Sequence, residues 1–129
     1  CGDLDGDGDL DYAIGAIGSE IQLLFGNPRW SEWLALTLVG PAGNRHGLGA
    51  SVRLRFEDGS TMLRRIESGR SYASASAPVL VTGLPGKVVA VDVLWPGGMS
   101  EQFETSGFDF VEQRELTYGQ GRAASFITK

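Results

Sequence analysis

No stretch of this chain carries apolar residues at helical period over the length of a helix. Short apolar runs are instead closed, one after another, by glycine-rich turns, and 19 glycines serve 129 residues. That pattern restricts the fold to many short strands joined by turns. "SVRLRFE" shows it most cleanly. Val52, Leu54 and Phe56 alternate with Arg53, Arg55 and Glu57, as in a strand with one face buried. "EDGS" follows, with Asp58-Gly59 as a hairpin turn signal, and "TMLRRIES" is the return strand. "LDYAIGAI" and "EIQLLFG" read as two strands around "GS", and "WLALTLVG" as a third. "APVLVTGL" is apolar enough for a buried strand, and "KVVAVDVLW", apolar on both faces, for a central one. "MSEQFE", "FDFVEQ" and "RELTYG" supply the last strands, and "QGRAASFITK" has no pattern and is expected to be loose or to dock on a partner. The expected fold class is all-β: an antiparallel β-sandwich with an N-terminal loop and β-hairpin, the loop being a calcium loop on the residues given next.

The calcium loop is expected from the opening stretch, "CGDLDGDGDLDYAIG". Aspartates stand at every second position: Asp3, Asp5, Asp7, Asp9 and Asp11. Held on one turn they repel one another, and a hard divalent cation with oxygen ligands removes the conflict. Asp3, Asp5, Asp7 and Asp11 are the expected side-chain ligands to Ca2+, with the carbonyl of Asp9 as a further one and Gly8 giving the bend. Magnesium, with its smaller and stricter octahedron, fits less well. An EF-hand is excluded, because the closing bidentate glutamate is missing (residue 14 is Ile) and "YAIGAIG" reads as a strand rather than a helix.

The charge balance makes this stretch singular. The chain carries 16 acids and 11 bases, and without the five opening aspartates the two signs balance at 11 each. The remainder has no basic stripe, so nucleic acid is not an expected partner. No run approaches the length of a membrane span, and no basic segment leads into an apolar one as in a signal peptide. Cys1 is the only cysteine, so no intrachain disulfide forms. It reads in three ways: an ordinary residue at the edge of the sequence, the lipidated first residue of a bacterial lipoprotein, or an intermolecular disulfide partner. Membrane contact is expected only in the second case.

The composition shifts near Pro28, which places a boundary between Asn27 and Trp33. Residues 1–28 form the acidic loop and its hairpin, and residues 29–129 the sandwich. Resemblances fall on the two sides of it. "GDLDGDGDLDYAIG" resembles the calcium loop of FG-GAP/VCBS repeats, as in integrin-like β-propeller blades. "WLALTLVGPAGNRHGLGASVRLRF" resembles the opening of the ASPIC/UnbV domain, through Trp33, Leu34, Leu38 and Gly40, then Asn44, Arg45, Gly47, Gly49, Ala50 and Val52. "IESGRSYASASAP" matches a later segment through Gly69, Tyr72 and Ser74, and "VDVLWPGGMSEQF" the family's tryptophan-proline hairpin through Val91, Val93, Trp95, Pro96 and Gly98. The sequence departs at Val81 to Gly86, at Gly97 and at His46. The resemblance implies a secreted or periplasmic, calcium-binding, non-catalytic β protein that works through protein partners or within a larger assembly. The acidic loop is then either a piece of a longer repeat array or a single N-terminal clasp.

Material for catalysis is thin. His46 is the only histidine and lies in the turn "NRHGLG". There is no G-x-S-x-G elbow and no H-E-x-x-H. "GPAGNRHGLG" lacks the lysine and helix of a phosphate loop. Glu101 and Glu104 read as solvated surface rather than a glycosidase pair. A carbohydrate-binding module is the alternative, resting on Trp30 as a surface platform, with Trp33 and Trp95 expected in the core. Asn44 and Arg45 read as turn residues with local hydrogen bonds. Asp92, in an apolar strand, needs a partner, and Arg45 is a candidate.

Overall fold

A computed structural model describes residues 1–7, 9–27, 32–69, 72–106 and 111–126, without the side chains of Val111 and Glu112. Gly8, Trp30, the Phe108–Phe110 part of "FDFVEQ" and the last three residues of the tail lie outside them. The described chain is all β. A small N-terminal sheet holds β1 (Tyr12–Ile14) and β2 (Gln22–Leu24). Eight further strands follow: β3 (Trp33–Val39), β4 (Ser51–Phe56), β5 (Thr61–Arg65), β6 (Val79–Gly83), β7 (Val88–Leu94), β8 (Ser100–Glu104), β9 (Val111–Thr117) and β10 (Arg122–Ala123). They form a five-stranded sheet in the order β10-β8-β7-β4-β5 and a three-stranded sheet in the order β6-β3-β9.

The two larger sheets share one core because their strands alternate in phase. Leu34, Leu36 and Leu38 of β3 meet Val52, Leu54 and Phe56 of β4 and Val91 and Val93 of β7. Leu80, Leu116, Ile66, Leu84 and Trp95 close the cluster. β7 is the middle strand of its sheet and is buried at most positions on both faces, as its unbroken apolar run requires. Its phase breaks once. Arg55 pairs with Ala90 but Phe56 with Val88, so Val89 bulges out and is exposed while Val88 turns inward.

Every pairing of described strands is antiparallel except one. β3 and β9 run parallel from Trp33 opposite Val111 to Val39 opposite Thr117. No hairpin joins these two, so no turn dictates their direction. The tail is not loose as far as Phe126. β10 pairs with β8, Ala124 N–H donates to the Ser100 carbonyl at 3.1 Å, and Phe126 lies under the Arg53 guanidinium at 4.4 Å. The segment straps the outer face of the five-stranded sheet.

The β4–β5 turn shows why Asp58-Gly59 was the right signal. Gly59 adopts φ 83°, a left-handed conformation, and its N–H donates to the Phe56 carbonyl at 3.0 Å. The Asp58 carboxylate accepts both the N–H (2.8 Å) and the hydroxyl (2.6 Å) of Ser60. Gly47 is required on different grounds. Its φ is 57°, and a Cβ there would come within 2.8 Å of Leu38 Cβ and 3.3 Å of Trp95 Cζ3, inside the core wall.

Candidate metal centre and buried carboxylates

The acidic loop is closed at its base by a two-way backbone bridge between Gly2 and Asp11, at 3.1 and 2.8 Å. Within it the aspartates fold the chain on themselves. Asp3 Oδ1 accepts the N–H of Gly6 (2.7 Å) and of Asp7 (3.2 Å). Asp5 Oδ1 accepts from Asp7 (3.3 Å), and Asp7 Oδ1 from Asp9 (2.9 Å). These are the side-chain-to-backbone bonds that short acidic residues make in turns. The carboxylates of Asp3, Asp5 and Asp7 each reach a donor two to four residues on.

Asp11 does more than close the loop. Its side chain is fully buried; Oδ2 accepts Leu4 N–H at 2.6 Å and Oδ1 accepts Gly26 N–H at 2.8 Å. One carboxylate therefore ties the loop to the far end of β2. These donors, Leu4 first and Gly26 second, hold its carboxyl below the usual carboxylate value. Asp5 moves the other way. Desolvation raises its pKa first, and the charges of Asp7, Asp11 and Asp3 add to that against the opposing Asp7 N–H.

Among the described residues, Asp3, Asp5 and Asp11 each bring a carboxylate oxygen within 4.8 Å of the others. Asp7 and Asp9 are not in that group; the Asp7 Oδ1 accepts Asp9 N–H, and the Asp9 Oδ1 accepts Leu10 N–H at 2.8 Å. The donor set is oxygen only and anionic. That suits a hard divalent cation and gives no ligand for a softer one.

Among the described residues the sandwich has two buried carboxylates of its own, Asp92 and Glu101. Asp92 accepts from Arg53 Nη2 at 2.8 Å and Arg53 Nε at 3.0 Å, and from Arg55 Nη2 at 3.2 Å. Arg45, the expected partner, is exposed in its turn; cross-strand register puts Arg53 directly opposite Asp92. Asn44 meets its local expectation, exchanging two hydrogen bonds with Leu48.

Glu101 overturns its expectation of a solvated surface. It is fully buried and accepts from Trp95 Nε1 (2.6 Å) and Gly119 N–H (3.0 Å) through Oε2, and from Gly121 N–H (2.9 Å) through Oε1. It joins the hairpin after β7 to the turn after β9. Tyr118 adds an edge-on ring contact to Trp95 at 5.4 Å. Trp95 is in the core as expected, but Trp33 is only half-buried, because its parity is opposite to that of Leu34. Glu104 is exposed, and His46 is exposed in its turn.

Comparison with known families decides where the β module belongs. The ASPIC and UnbV family model matches residues 40–123, almost two thirds of the chain. The chain belongs to the ASPIC/UnbV family. No curated protein matches it. The matched segment of this ASPIC/UnbV chain runs from the turn after β3 to β10. It contains both buried carboxylates and the Trp95 hairpin. The acidic loop and β1–β2 lie outside the match.

Proposed function

We propose that this ASPIC/UnbV-family chain is a non-catalytic, calcium-binding β module that works through protein contacts in an extracytoplasmic assembly. The convergence of Asp3, Asp5 and Asp11 oxygens within 4.8 Å carries the metal reading. In it these three carboxylates hold the ion, with Asp7 and the Asp9 carbonyl completing the shell, and the ion neutralises the negative charges gathered there. The resemblance of "GDLDGDGDLDYAIG" to an FG-GAP/VCBS calcium loop supports the same assignment. The two strong polar networks of the sandwich are occupied in holding strands together, and its one histidine stands in an exposed turn. That favours a scaffold over a catalyst.

Calorimetric titration with CaCl2 tests the metal. The expected result is saturable binding, weakened at least tenfold in Asp5→Asn. This variant removes one charge while keeping an oxygen to accept the Asp7 N–H. Absence of binding at several millimolar calcium overturns the reading.

A further inference from the structure

The five-stranded sheet ends at β5, and no described strand lies beyond it. Hydrogen-bond parity decides what that edge offers. Ile66 N–H donates to the Ala50 carbonyl and Phe56 N–H to the Ser60 carbonyl, so the bonded pairs of this ladder fall on the even positions of β5. Met62 and Arg64 thus direct their backbone groups to β4. Those of Thr61, Leu63 and Arg65 point away from it, in a run without a bulge.

The side chains along that edge are exposed, Met62 alone being half-buried. Leu63 and Arg65 share the outer face of the sheet with Arg53 and Arg55, and Arg64 stands on the other face. Among the described residues, Arg65 has a long, exposed ion pair with Glu67, at 3.9 Å. Arg64 turns back on the edge, its Nη1 donating to the Leu63 carbonyl at 3.1 Å.

We propose that β5 is an interaction edge that accepts an extended acidic segment of a partner protein as a sixth strand. Backbone pairing supplies the attachment, and the alternation of faces supplies selectivity. Arginines on both faces favour a strand carrying acids on both faces, with an apolar residue opposite Leu63. A second copy of β5 is disfavoured, because it brings four arginines along one seam. An incoming carboxylate draws the Arg64 guanidinium off the Leu63 carbonyl and frees that acceptor for the new ladder. The proposal rests on the interaction part of the function proposed above and not on calcium. Binding measured in EDTA therefore succeeds or fails independently of the metal titration.

The test is an NMR titration of the whole chain, in EDTA, with a blocked hexapeptide of glutamate and valine. The expected result is saturable shifts centred on the amides of Thr61, Leu63 and Arg65. Affinity should fall at least tenfold for the lysine-for-glutamate peptide, for a peptide N-methylated at alternate amides, and for the double variant Arg64→Glu/Arg65→Glu. That variant alters exposed side chains, and its amide spectrum reports directly that it is folded. Equal binding of the lysine peptide, shifts centred elsewhere, undiminished binding by the double variant, or no binding at all overturns the proposal.

Discussion

Glu101 shows most plainly what strand phase decides. Read as one of two acids in a short strand, it looked like solvated surface. The strand contains its own correction. In "SEQFE" the alternation puts Glu101 on the same face as Phe103, which packs on the core, and leaves Glu104 outside. What the strand cannot show is why a carboxylate is tolerated there. The reason lies in three donors brought from elsewhere: Trp95 Nε1 from one turn, and the N–H groups of Gly119 and Gly121 from another. Gly121 leaves no room for error, since a Cβ there would lie 2.7 Å from that of Glu101. Glu101→Ala strands these donors at roughly 1–3 kcal/mol for each one left without a partner. The expected loss is therefore about 3 kcal/mol or more, read as a lowered urea midpoint at unchanged m value. A loss below about 1 kcal/mol would show that water replaces the carboxylate. Asp92 teaches a related lesson. Its need for a cation was legible in the sequence, but the choice of Arg53 over Arg45 is made by the β4–β7 register.

At the scale of elements, alternation and glycine turns placed most strands where they stand, because those signals are local. Two features escaped. The parallel pairing of β3 with β9 joins residues more than seventy positions apart, and no turn announces it. The attachment of β10 and Phe126 depends on a sheet face that exists only after β4, β7 and β8 have paired. The β4–β5 turn is the opposite case, wholly local and wholly legible. Its Asp58 carboxyl is held below the usual value of 3.8, by the Ser60 hydroxyl first and the Ser60 N–H second. A depressed folded-state pKa contributes stability that is present above the unfolded value and lost as pH falls through the folded one. Asp58→Asn keeps the acceptor but not the charge. The variant is therefore expected to melt below the parent at about pH 6, with the gap closing as pH drops below 3.8. Melting curves at about pH 6 and about pH 2.5 check this, and an equal gap at both values refutes it.

Across the whole molecule, the two parts stand on different footings. Among the described residues, the sandwich has a shared core of fifteen buried side chains drawn from both sheets. The hairpin has none: both strands are exposed along their length, and Tyr12, Ile14, Leu23 and Leu24 are each about half exposed or nearly so. No strand of the hairpin packs extensively on a strand of the sandwich. A lone two-stranded hairpin is marginal in water, so order in this part rests on the Asp11 tie and, in the proposed reading, on the ion. The loop was legible as an acidic cluster; the burial of Asp11 and its hold on Gly26 were not, because the partner lies fifteen residues away. A consequence separates the two parts experimentally. Deleting residues 1–31 is expected to move the main melting transition by less than about 4 °C, the shift that ~1 kcal/mol gives in a domain of this size. Adding EDTA to the calcium-loaded whole chain is expected to speed hydrogen exchange at the Leu4 and Gly26 amides, the two that Asp11 holds, and to leave the amides of β4 and β7 protected. A drop of about 10 °C or more on deletion would instead mean that the sandwich draws stability from the hairpin through contacts weaker than strand packing. EDTA-insensitive exchange at Leu4 and Gly26 would mean that Asp11 holds the loop without an ion.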